Sequence, residues 1–595
     1  MTIDRSQVPR EDKWNIEAFY PSLEAWEKDL KSLESFETIL SYKGTLSQDA
    51  GRLKEFFILY FKLDRHLTKL YTYAHLRHDE DLTNDLHKQA YGRVVALLHD
   101  FKQKTSWLEP EILQLPDAQL KNYLAADELK DYRVHLEKII RLKPHTLSAE
   151  KEDLCALVGK ALSTAHQVFS AFNNADLKFP KVQDSKGDMQ ELTHGKFFLY
   201  LRSQDRALRT AAFKTLHNSF SSYENTLCEL IQGQMQAHLF EMRARGYKSC
   251  LEAALFPHQI DPAVYTSLIF AVRKHLGSLH RYMELRKKIL GVDELHMYDL
   301  HVPLVKEVDF SMDYAAAEKS VVESLAILGP DYQKDLQKGL IKDRWVDRYE
   351  NKGKRSGAYS SGCFDSMPYI LMNYQGTLND VLTLTHEAGH SMHSLMSCRH
   401  QPYQYSSYPI FVAEVASTFH EKLLAKHLMH NAKTKEEKCY LVNQEIESIR
   451  NTFFRQTMFA EFELKLHELV EQEVPLTPTL LKTEYRKLNK EYFGPALTMD
   501  EEIDIEWARI PHFYYNFYVY QYATGISAAH ALVEHVEQNG EKAREKYLQF
   551  LSSGSSRYPL DLLASAGVDM RKPLAVEAII RQFDHSVEIL KNFLL

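Results

Sequence analysis

Residues 386–390 read His-Glu-Ala-Gly-His, and no other stretch constrains the chain as tightly. Only a helix brings the two histidines one turn apart on one side, where both imidazoles can bind a single Zn²⁺. Glu387 then lies about 100° round the helix, placed to act on water rather than on the metal. Val381, Leu384, Ala388, Met392 and Leu395 recur at three- and four-residue steps. The run therefore predicts a helix with one apolar face and the histidines on the other side.

A catalytic zinc site takes three protein ligands and keeps one position for water. His393 extends the pattern to HExxHxxH, but positions i and i+7 lie about 10.5 Å apart along a straight helix, so converging them on one ion strains it. Glu414 is the better candidate. Its surroundings, Ile410-Phe411-Val412-Ala413-Glu414-Val415-Ala416-Ser417, are apolar nearly all round, which predicts a buried helix. A buried carboxylate needs a partner or a metal. Glu421, seven residues on, is placed to accept the free N–H of a ligating histidine and fix its tautomer. Beside Lys422 it reads equally as a surface charge.

A second constellation follows His512. Phe513, Tyr514, Tyr515, Phe517, Tyr518, Tyr520 and Tyr522 crowd behind it. An aromatic core explains such a run, yet buried phenols need hydrogen-bond partners. Phenols and an imidazole facing a metal would supply donors where negative charge develops on a tetrahedral intermediate.

These motifs resemble a known family. His386 to His390, Phe411 to Ser417, Gly353-Lys354-Arg355-Ser356-Gly357-Ala358-Tyr359, the long segment 511–525 and the opening Lys13-Trp14-Asn15-Ile16 are similar to the thimet oligopeptidase superfamily of zinc metallopeptidases, and most of all to oligoendopeptidase F. The likeness spans nearly the whole chain. It implies one Zn²⁺ per chain on His386, His390 and Glu414, with Glu387 as base. It implies that His512, Tyr515, Tyr518 and Tyr522 stabilise the transition state, and leaves open which tyrosine acts. The implied fold is mostly α, a multi-helical shell around a deep channel with a small β element next to the zinc helix. The implied division is an N-terminal helical region at 1–112, an oligopeptidase F-type helical domain at 113–190 and the zinc peptidase domain at 191–595.

Composition agrees with long helices. Gly (22) and Pro (19) are scarce in 595 residues, against an ordinary share of about 12%. Lys and Arg (73) against Asp and Glu (81) give a net charge of −8, so nothing argues for nucleic acid. The six cysteines are scattered singly with no CxxC, which suits free thiols in a reducing cytosol. The start, Met1-Thr2-Ile3-Asp4-Arg5-Ser6, lacks an apolar signal region, and no run of about 18 apolar residues exists for a membrane span. A cytoplasmic protein with no membrane association and no obligate protein partner is expected.

Along the chain, residues 22–142 read as amphipathic helices, with Leu23, Trp26, Leu30, Leu33, Phe36 and Leu40 at helical spacing. His66 to His99 reads as one long helical tract. A break falls near Lys143-Pro144-His145, a hairpin or loop at 173–187, and further helices at 200–295. The clearest β signal is Tyr369-Ile370-Leu371-Met372, after the turn-rich Gly357 to Gly362. Pro368 points to an edge strand, which would pair with an extended peptide through its backbone. Lys352, Lys354 and Arg355 could meet a substrate carboxylate.

The sequence thus predicts a zinc endopeptidase acting on short unstructured oligopeptides. A metallocarboxypeptidase with the same zinc site and a catalytically silent helical peptide-binding protein are the alternatives.

Overall fold

Helices dominate because breakers are few and several long helices have a capped start. The computed structural model describes residues 3–33, 35–305 and 310–595; Met1 and Thr2 of the start read above lie outside the described residues. Ser22, Asp49 and Asn84 cap the helices Leu23–Lys31, Ala50–Glu80 and Asp85–Thr105 through side-chain oxygens that accept backbone N–H bonds. The tract expected from His66 to His99 is therefore two helices. The Asp81–Asn84 turn and the Asn84 cap divide it, which helical spacing alone does not reveal.

The chain forms two compact units. The first comprises Met1–Thr146, Phe310–Leu428 and Leu532–Val568; the second comprises Leu147–Asp309, Met429–Ala531 and Asp569–Leu595. In the first, one core gathers Phe56, Phe57, Leu67, Ile112 and Leu136. Another joins Trp14, Trp26 and Tyr73 to Tyr369 and Leu371 of a small sheet. In the second, Lys435–Ile449 packs along Leu574–Leu594, and Glu224–Arg245 packs on Arg455–Glu471. The segment expected as a hairpin or loop pairs Val182–Gln183 with Met189–Gln190.

The sheet of the first unit corrects one expectation. Its order is Val346–Asp347, Tyr369–Leu371, Tyr359–Ser361. Tyr369–Leu371 is the central strand, parallel to the first and antiparallel to the last. Pro368 sits just before that strand, where no ladder N–H is needed, so it does not force an edge. The outer strands are Val346–Asp347 and Tyr359–Ser361, the latter drawn from the stretch read as turn.

Lys354 is corrected too. Its ammonium is buried, ion-paired with Asp347 at 2.7 Å and donating to the carbonyls of Tyr349 and Met372. It braces the sheet from inside and is not available to substrate. Arg355 is exposed and pairs with Asp79.

Candidate active site

Thr377 and Asp380 form a reciprocal capping box that starts the helix Leu378–His400. Val381, Leu384, Ala388 and Met392 are buried on one face as expected, whereas Leu395 is half-buried. Past His390 the helix lines a cavity of about 770 Å³ with Ser394, Leu395 and Cys398, facing Phe364 and Tyr408.

The histidines turn toward the helix Ile410–Asn431. His386 Nε2 lies 3.1 Å from His390 Nε2 and 3.2 Å from Glu414 Oε2; His390 Nε2 lies 3.6 Å from the same oxygen. Among the described residues, these three form the single group of His, Cys, Asp and Glu side chains able to hold a metal ion. Ligands at about 2.0–2.2 Å on a tetrahedral Zn²⁺ stand roughly 3.3–3.5 Å apart, so the donor set fits the ion in type and spacing. His393 is not part of it. That ring is buried, stacked on Tyr408 at 3.7 Å, and burial lowers its pKa to about 3.

Glu414 reaches this place for a different reason from the one expected. Its side chain is 45% exposed, so burial does not drive it to the metal position. Close helix packing does. A Cβ on Gly389 would stand 2.6 Å from Ser417 Cα and 2.9 Å from the Ala416 carbonyl oxygen, so the two helices cross backbone to backbone at the glycine of the pentapeptide. Sequence spacing carries no sign of that contact.

Electrostatics prepare the group for a cation. Burial works against a charged His386, but hydrogen bonds to Glu414 and Glu421 outweigh it and hold the pKa up at about 10. Nδ1–H donates to Glu421 Oε1, so Nε2 faces Glu414, and a metal bound there replaces the Nε2 proton. Burial, reinforced by the neighbouring His386, lowers His390 to about 4 and leaves that ring neutral. Glu414 is lowered by its bond from His386. Glu387 is 8% exposed and raised, by burial first, with the Glu414 charge adding to it. The His386 charge and the Ser360 backbone N–H act the other way. Ser360 Oγ bonds Ser391 Oγ at 2.8 Å, tying the outer strand to the motif helix; neither serine stands out in the sequence.

The second constellation belongs to the second unit. Pro511–Tyr514 is a short 3-10 turn, and Tyr520–Asn539 is a helix. His512 Nε2 lies 3.2 Å from Tyr522 Oη, its ring stacks over Tyr518, and Tyr515 and Tyr522 present edges to it. Burial lowers His512. Phe513 and Phe517 are buried core rings, whereas Tyr515 is exposed.

A mostly helical chain whose HExxH helix meets a glutamate of a second helix at metal-ligand spacing has the build of a metallopeptidase. Comparison with known proteins narrows this. Residues 199–582 match the family description Peptidase family M3, and residues 111–179 match Oligopeptidase F. Oligopeptidase PepF of Bacillus subtilis is 43% identical over all of this chain and 88% of its own length. Group B oligopeptidase PepB of Streptococcus agalactiae is 37% identical, covering 100% and 98%. The crystal structure of oligoendopeptidase-F from Enterococcus faecium superposes with a TM-score of 0.73 at 35% identity, covering 95% of this chain and 98% of that one. A solved structure from Chlamydophila abortus reaches 0.96 at 38%, covering both chains fully. The chain belongs to peptidase family M3, a family of metallopeptidases, within its oligoendopeptidase F group.

Proposed function

We propose that this peptidase is a zinc-dependent endopeptidase that cuts internal bonds of short, unstructured oligopeptides. The observation that carries the reading is the spacing of His386, His390 and Glu414, which matches the edges of a tetrahedral zinc site. The relatives named oligopeptidases support the substrate class.

Bound zinc supplies Lewis acidity, polarising a carbonyl and acidifying water. Glu387 takes a proton from the attacking water and later returns it to the leaving amine. Its raised pKa brings proton affinity closer to working pH than an exposed glutamate offers. Glu421 holds His386 in the tautomer that presents Nε2. His512, Tyr515, Tyr518 and Tyr522 are the proposed hydrogen-bond donors to the oxyanion, with Tyr522 favoured because its hydroxyl already meets His512. An extended peptide would bind along the outer strand Tyr359–Ser361. The proposed domain division is 1–112, 113–190 and 191–595.

Six free cysteines support a cytoplasmic location. Among the described residues, no helix is long and apolar enough to cross a membrane.

A mass-spectrometric digest of a mixed peptide pool, run beside a folded protein, tests the reading. Internal cleavage of peptides of roughly a dozen residues is expected while the folded protein survives. Release of single C-terminal residues would make the enzyme a carboxypeptidase. No cleavage at all would leave a peptide-binding protein.

A further inference from the structure

The helix Arg455–Glu471 carries two groups that the proposed chemistry does not use, Glu463 and His467, one turn apart. Glu463 is fully buried, and its Oε1 accepts the Phe517 backbone N–H at 2.6 Å. Oε2 is buried with no hydrogen-bond partner among the described residues. His467 Nδ1–H donates to the Glu463 carbonyl at 2.8 Å, which leaves Nε2 as an acceptor for His238 Nδ1–H at 3.0 Å. The Phe517 ring stacks on His467 at 4.2 Å and meets Tyr265 edge-on at 5.5 Å. Phe517 is thus gripped at its backbone by a buried carboxyl group and at its ring by an imidazole.

That grip falls on strained backbone. Asn516 and Phe517 have φ of 45° and 58°, a left-handed conformation uncommon for any side chain and an outlier for a bulky one. Among the described residues no other two consecutive non-glycines share it. Such strain persists only where the surroundings over-determine it. The turn lies between His512 and Tyr515 on one side and Tyr518 and Tyr522 on the other, so it fixes how these rings face one another. Burying a carboxyl group that satisfies one backbone N–H and leaves its second oxygen without a partner is costly, and a purely structural turn has cheaper acceptors.

We propose that Glu463 is a positioning residue, whose bond to the Phe517 N–H holds the left-handed turn and with it the alignment of His512 with Tyr518 and Tyr522. This rests on the reading of those groups as donors in the reaction.

The test measures kcat, KM and metal content on an internally quenched peptide for Glu463→Leu, Glu463→Gln, His512→Ala and two double variants. Glu463→Leu removes the acceptor and should lower kcat tenfold or more, with KM within twofold and metal unchanged. Glu463→Gln keeps a carbonyl acceptor and should stay within threefold of wild type. Asn516→Gly added to Glu463→Leu should recover kcat at least threefold, because glycine is at ease in the left-handed region. Glu463→Leu added to His512→Ala should cost less than a further twofold, since the group it positions is gone. Should Glu463→Leu fail to fold, Glu463→Met takes its place. The proposal is overturned by a wild-type kcat in Glu463→Leu, by a Gln variant as poor as Leu, or by an undiminished loss in the His512→Ala background. A wild-type rate in His512→Ala itself would instead remove the donor reading, and this proposal with it.

Discussion

Glu387 sits on the same helix turn as the two histidines proposed to hold zinc, and the separate role proposed for it as the base can be measured. Glu387→Gln preserves shape but cannot take a proton, so metal content should hold while kcat falls by about 10²–10⁴. Metal analysis beside steady-state kinetics checks it; a variant keeping a tenth of wild-type turnover would reassign the base. At this level the sequence was informative wherever chemistry fixes spacing. Helical spacing brings His386 and His390 together, as they stand in the structure, and Glu421 receives the His386 bond expected of a partner that fixes the tautomer. Apolar neighbours point to Glu414 as a buried carboxylate, whereas the structure leaves it half-exposed. Ser360, Ser391 and Glu463 stayed hidden because their contacts join residues distant in sequence through no recognisable motif.

Between helices, Gly389 sets the crossing. Its missing side chain lets Leu378–His400 touch the backbone of Ile410–Asn431 at Ser417, and that closeness brings Glu414 to the histidines. Gly389→Ala would gain helix propensity but overpack the crossing, at about 1–3 kcal/mol. The predicted outcome is a folded protein with a lower Tm and zinc affinity at least tenfold weaker in a chelator competition. Unchanged affinity would mean that Glu414 is placed by other contacts. Periodicity located both helices but not their crossing, because a pattern of apolar residues names a face and not its partner. The sheet shows the same limit. Tyr369-Ile370-Leu371 was recognisable as strand, but its central place depends on Val346–Asp347 and Tyr359–Ser361 arriving on either side, which two- and three-residue strands do not announce.

At the scale of the whole molecule, one ion-pair cluster ties stability to pH. In the second unit, Glu447 accepts from Arg450 at 2.6 Å and from Arg286 at 3.3 Å. Burial alone would raise it, but the two guanidinium charges prevail and lower its pKa to about 2. A depressed acid stabilises the fold above its unfolded pKa, here an ordinary glutamate value near 4.3. That contribution fades as pH falls through the folded value. Glu447→Gln should therefore be less stable than wild type at pH 7, by about 3 kcal/mol, with the gap closing between pH 4 and pH 2. Denaturant unfolding at several pH values measures this; a gap constant with pH would show that Glu447 acts through packing and not charge.

The metal centre itself is tested most directly by elemental analysis of purified wild type, Glu414→Ala and His393→Ala. The expected result is one zinc per chain in wild type and in His393→Ala, and loss of the metal together with activity in Glu414→Ala. A Glu414→Ala protein that keeps its zinc, or a His393→Ala protein that loses it, would contradict the ligand set of His386, His390 and Glu414.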